Sequence, residues 1–127
     1  ILPCPIVGVE PVIKPLSHYD RALALMTESS ASSEITAKLL KKYGPHVQVF
    51  SPHGLATAIE FNDFEQVKRN IHEIKKIVQE QKIQAVGLSC THYQLIMAEL
   101  QKALPDTIFL DPSDAVVKEV ERVLRLD

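Results

Sequence analysis

Three polar residues in succession, Cys90-Thr91-His92, follow directly on the apolar run Ala85 to Leu88 and the small Ser89. Where a buried strand turns into a helix, the first-turn N–H groups point outward unpaired, and their partial positive charge favours a thiolate. Cys90 is therefore placed to act as a base or nucleophile. Thr91 supplies a hydroxyl and His92 an imidazole that titrates near neutral pH. Two blander readings compete. Cysteine packs well as a small hydrophobe, so a cysteine at a strand end can be core filler. A structural zinc site wants four ligands with a close C-x2-4-C or H-x3-5-H pair, and neither spacing occurs here, so no metal is expected. The catalytic reading requires the Cys90 sulfur to be open at the mouth of a ligand cleft; burial in aliphatic packing far from any opening would remove it.

Two further polar groups fall where they can assist. The stretch Thr27-Glu28-Ser29-Ser30-Ala31-Ser32-Ser33 follows a second apolar run. Its hydroxyls suit helix capping, but several in succession exceed one cap and could cradle a carboxylate, with Thr27 and Ser30 the preferred binding positions. Glu60 closes the segment Leu55 to Ile59. It reads either as a surface carboxylate or as the group that fixes the His92 tautomer. His18, His46, His53 and His72 share no spacing and acquire no role; His72 falls on a polar helix face.

The elements that must position these groups alternate. Strands are expected at Pro5–Val9, Arg21–Met26, Val47–Ser51, Ala85–Ser89 and Thr107–Leu110, several nearly continuous in apolar side chains and so buried on both faces. Helices are expected at Ser32–Tyr43, stopped by Gly44-Pro45 with Ile35, Leu39 and Leu40 inward, and at Asp63–Gln81, capped by Asn62 or Asp63 with Phe64, Val67, Ile71, Ile74 and Ile77 inward. Gln94–Leu104 and Pro112–Leu126 complete the set, the latter carrying a valine stripe, and Leu55–Glu60 suits a short helix. Strands alternating with helices imply an α/β domain, a mainly parallel sheet flanked by helices on both faces. Ligands of such sheets gather beyond the carboxyl ends of the strands, where Thr27, Cys90 and Asp111 all fall. Phosphate-loop glycine motifs are absent.

The totals agree with one soluble globular domain: 127 residues, 46% hydrophobic and 24% charged, with a formal net charge of −2. Only Lys41-Lys42 and Lys75-Lys76 pair basic residues, so neither a nucleic-acid nor an anionic-membrane footprint is expected. Two cysteines, Cys4 and Cys90, form no C-x-x-C pair or disulfide-dense framework, which suits a reducing cytoplasm. No membrane span or secretory signal is evident. Ile1 opens the chain and Ile1 to Val9 reads at once as strand, so a longer protein with an upstream portion is expected.

The segment GLSCTHYQLI at 87–96 resembles the GCTHYPLL signature of glutamate racemases and the wider aspartate/glutamate racemase group. VGVEPVIKPL at 7–16 is similar to the stretch that opens that family's second domain, LMTESSASSEI at 25–35 to its substrate loop, Ile59-Glu60 to its isolated glutamate, and FLDPSDAVVKEV at 109–120 to its closing strand and helix. Order and spacing agree along nearly the whole chain. Ser89 stands where the family usually has glycine, and Gln94 where it has proline. The resemblance implies a flavodoxin-like racemase domain over 1–105 and, over 106–127, a strand-helix tail that returns to the missing first domain.

It also implies cofactor-independent racemisation of L- and D-glutamate by two cysteines on opposite faces of the α-carbon, supplying D-glutamate for peptidoglycan. Cys90, His92 and Glu60 fall on the family's catalytic positions in this half, and Thr91, Thr27 and Ser30 on its substrate-binding positions. Cys4 does not match the first-half cysteine. The expected partners are a small amino-acid substrate and the upstream half, with a homodimer compatible; the isolated chain is expected to be an inactive half-site. Aspartate or hydantoin racemases, a cysteine hydrolase and a non-catalytic carboxylate-binding module are the alternatives.

Overall fold

The computed structural model describes residues 10–110, without the side chains of residues 10–12 and 91. The expected strand at Pro5–Val9, the expected helix at Pro112–Leu126, Cys4 and Asp111 lie outside the described residues, as do residues 111–127 of the tail segment 106–127.

Among the described residues four strands form one sheet: β1 (Ala22–Leu25), β2 (Val47–Phe50), β3 (Ala85–Leu88) and β4 (Ile108–Leu110). They lie in the order β2-β1-β3-β4, every pairing parallel. The four expected strands that fall among the described residues all appear, each trimmed by one or two residues. β1 and β3 are buried throughout, as two-faced burial demands, whereas β2 and β4, the outer strands among the described residues, stay partly exposed.

The pleat sends alternate side chains of β1 into two separate cores. Leu23 and Leu25 join Val86, Leu88, Ile74, Val78 and Leu100 on one face. Ala22, Ala24 and Met26 join Ile13, Leu16 and Val47 on the other, with Leu39, Leu40 and Tyr43 packed against them. The second face is covered by α1 (Glu10–Leu16) and α3 (Glu34–Tyr43), which also touch each other. The first face carries α4 (Leu55–Glu60), α5 (Phe64–Gln81), α6 (Thr91–Gln94) and α7 (Met97–Ala103). A four-residue turn, α2 (Glu28–Ala31), links β1 to α3.

Sequence-level expectations differ from this arrangement in four places. The helix expected from Ser32 begins at Glu34, because the Ser33 hydroxyl accepts from the Thr36 N–H and caps it, and α2 forms ahead of it. The helix expected over Gln94–Leu104 begins only at Met97, as α7, and a short unexpected helix, α6, precedes it and overlaps the expected range at Gln94 alone. Helix α1 has no counterpart in the expectations, since Pro11 and Pro15 obscured it. Finally, Phe64 and Ile35, expected inward, are 67% and 66% exposed. Each sits in the first turn of its helix, beyond the sheet's cover. The α5 stripe is otherwise as expected, except that Asn70 is buried within it.

Candidate active site

With all strands parallel, their carboxyl ends share one edge, and helices leave β1 and β3 toward opposite faces of the sheet. Adjacent strands whose connections diverge in this way open a crevice between them. Ser89 fixes the two exits in register: its N–H and its hydroxyl both donate to the Leu25 carbonyl, at 3.1 and 2.8 Å. That contact sets Cys90 beside the chain leading to Thr27.

A cavity of about 710 Å3 occupies this end of the molecule. Thr27, Glu28 and Ser29 reach it from the β1 exit, Pro52, His53 and Gly54 from the β2 exit, Glu60 and Phe61 from the end of α4, and His92 and Tyr93 from the β3 exit. Local rules place each group. Gly54 turns the chain into α4 at φ +75°, in the left-handed region that suits glycine. Buried Asn70 donates to the His53 carbonyl at 3.1 Å and accepts from Gln66 at 3.0 Å, tying that loop to α5. Thr27 caps α2, its Oγ1 accepting from Ser30 N–H at 3.4 Å and donating to Ser30 Oγ at 3.0 Å.

Of the residues singled out in the sequence, Thr27, Glu60 and His92 meet at this cavity. Ser30 does not reach it. It is buried behind Thr27, and its carbonyl accepts from the hydroxyls of Ser33 at 2.9 Å and Thr36 at 2.6 Å, so the hydroxyl-rich run is largely a polar knot joining α2 to α3. Thr91 opens α6 between Cys90 and His92. His72 is exposed on the polar face of α5, as expected.

Cys90 departs from the expectation of an open sulfur. It is 0% exposed, packs in the same core as Leu25, Leu88 and Tyr93, and is disulfide-bonded. A cysteine at the end of a doubly buried strand is readily drawn into the core as a small apolar group. The opening is nonetheless close: Cys90 Sγ lies 3.9 Å from His92 Nδ1, and His92 lines the cavity.

Sequence reasoning passed over Glu28, His53 and Tyr93. His53 Nδ1 and Glu28 Oε1 are 3.1 Å apart at the rim, a strongly exposed pair of small energetic weight. Burial, reinforced by the Glu28 carboxylate, pushes the Tyr93 phenol up to about 12. The position of His53 just past β2 was the available signal, since it obeys the same strand-end rule as Thr27 and Cys90. No group of three or more His, Cys, Asp or Glu among the described residues is disposed to hold a metal ion, and no helix among them is long and apolar enough to cross a membrane.

No family model matches the chain. Curated relatives do. A glutamate racemase of Aliivibrio fischeri is 30% identical over 132 residues, covering 99% of this chain and 50% of the relative, and one of Pseudomonas aeruginosa is 30% identical over 128 residues, covering 94% and 48%. The chain thus spans about half the length of the curated relatives it matches. Among solved structures, a glutamate racemase of Francisella tularensis in complex with D-glutamate superposes with a TM-score of 0.68 at 26% identity, over 88% of this chain and 44% of that one. An allantoin racemase of Pseudomonas fluorescens shares the fold, with a TM-score of 0.69 at 14% identity, over 92% and 51%. By sequence and by fold together, the chain is similar to about half of a glutamate racemase.

Proposed function

We propose that this chain is the carboxyl-terminal portion of a glutamate racemase and contributes one of two proton-transfer faces. The meeting of Thr27, Glu60 and His92 on one cavity, with the Cys90 sulfur against His92, carries the reading. In the reduced protein, the Cys90 thiolate removes the α-proton from one face of glutamate, or its thiol returns one, while a cysteine of the absent half performs the complementary transfer on the opposite face. His92 tunes the thiol and Glu60 orients His92. Thr27, Thr91 and the outward N–H groups near the strand ends hold the substrate carboxylate and stabilise the charge that develops as the α-carbon is deprotonated. Ser30 acts from behind, by orienting Thr27. No cofactor takes part. Residues 1–105 make the catalytic domain together with β4, which pairs with β3 in the same sheet, the segment after β4 is the returning tail, and the whole enzyme supplies D-glutamate for peptidoglycan in the cytoplasm.

The closed, disulfide-bonded Cys90 is not the working state; turnover requires reduction and an open path from sulfur to cavity. The same observation favours one rival, a carboxylate-binding module without turnover. Aspartate or a hydantoin remains an alternative substrate, since one methylene changes binding by only about 1–3 kcal/mol.

Exchange of the Cα proton of L- and D-glutamate, followed by NMR in deuterated buffer with reductant, tests the proposal. The isolated chain is expected to give no exchange, and the chain joined to the portion encoded upstream of it to give exchange that Cys90→Ala abolishes. Exchange by the isolated chain at ordinary enzymatic rates contradicts the half-site reading. Unchanged exchange in the Cys90→Ala variant of the joined protein removes Cys90 as a base. The rate of Cys90 alkylation against pH separates the rival: a base shows a depressed thiol pKa, a binding relic does not.

A further inference from the structure

Tyr93 is almost wholly enclosed, 1% exposed, in the core beneath α6, yet it lines the cavity. Buried tyrosines usually give their hydroxyl a partner. No described residue donates to or accepts from this one, whereas the neighbouring Thr27, Glu28 and His92 are all engaged. The Tyr93 oxygen is also not among the sealed, unsatisfied polar atoms of the described residues, so the sliver of surface the side chain keeps includes its hydroxyl. A phenol with its ring packed and only its O–H left open is a fixed donor whose acceptor must come from the cavity.

We propose that Tyr93 is a substrate-positioning residue whose hydroxyl donates to a carboxylate of the bound amino acid. This rests on the reading of the cavity as the amino-acid site. The ligand class follows from what the donor lacks: an anionic oxygen gains most from a neutral donor held where water is scarce. The phenol stays protonated across the physiological range, because burial and the Glu28 carboxylate both oppose its ionisation, so the donor is always present. The aromatic core of the site needs only a ring at this position; the oxygen is the part the fold does not use.

Tyr93→Phe deletes that oxygen and keeps the ring. Binding of L-glutamate, D-glutamate and succinate to the reduced chain is read from chemical-shift changes in NMR titrations, beside the thermal midpoint of the ligand-free protein. The expected result is a 10- to 100-fold weaker Kd for the variant, the size of one hydrogen bond to a charged group, with a midpoint unchanged or raised. Equal affinity in wild type and variant overturns the proposal while leaving the cavity as the site. A lowered midpoint also overturns it, since the hydroxyl would then have an internal partner. If the wild type binds none of the three ligands while Thr27→Ala and Tyr93→Phe both leave the fold intact, the cavity itself is misread and the inference falls with it. Tyr93→Leu, which removes the ring as well, separates packing from bonding: it lowers the midpoint, as Phe does not.

Discussion

Single side chains at the strand exits act as fasteners as much as reagents. Ser89 holds β1 and β3 together through the Leu25 carbonyl, which accepts from both its N–H and its hydroxyl. Ser89→Ala is expected to cost about 1 kcal/mol and no more, because the Leu25 carbonyl keeps the backbone donor; urea unfolding at neutral pH measures it. Tyr93 predicts an alkaline limit. Its folded pKa, about 12, lies above the unfolded value near 10. The unfolded chain therefore loses this proton first, and stability present below pH 10 declines as pH rises from 10 toward 12, by on the order of 2 kcal/mol. Tyr93→Phe removes that part of the decline, which stability curves collected between pH 9 and 12 would show. At this scale the sequence was read unevenly. That Thr27 and His92, past strand ends, and Glu60, at the end of α4, would line one cavity was within reach, because polar groups beside apolar runs are costly without a use. The burial of Cys90 and of Ser30 was not, since whether a small side chain points into a cavity or into the core depends on backbone geometry that one-dimensional spacing does not carry.

Elements were more legible than their ends. Helix α5 declared itself by its 3.6-residue stripe and by Asp63, whose Oδ1 accepts from the Gln66 N–H at 3.2 Å. Asp63→Ala is expected to cost about 1 kcal/mol as the cap is lost, seen as a fall in the urea midpoint with an unchanged slope. Gly44 was legible as a stop, though not for its reason: it closes α3 at φ −107°, and a Cβ there would sit 2.6 Å from the Leu40 carbonyl oxygen. Close approach, not left-handed backbone, requires the glycine. The late start of α7 escaped the pattern because Leu95 and Ile96 continue the apolar spacing while Ile96 leaves helical geometry, at φ −107° and ψ 15°.

At the level of the whole molecule, alternation of apolar strands with amphipathic helices was enough to give a parallel α/β sheet, because parallel neighbours need crossovers. Strand order was not legible, since it depends on which crossover reverses direction. Three large apolar side chains stay outside the core: Phe61, Phe64 and Leu95 are 65%, 67% and 71% exposed, Phe61 at the cavity and the other two about a separate, smaller hollow. Phe64→Ser combined with Leu95→Ser is expected to leave the isolated chain within about 0.5 kcal/mol of wild type per substitution in chemical denaturation, because neither side chain is inside.

The Ser89–Leu25 contact also joins residues 64 positions apart. During synthesis the central strand β1 can find β2 early, but its second neighbour does not exist until the ribosome has passed Leu88. Until then one long edge of β1 is open to any other extended segment, and the nascent piece is prone to mispairing. Refolding of the complete chain is accordingly expected to lag well behind that of a helical bundle of similar size, with its slow step at the zippering of β1 to β3.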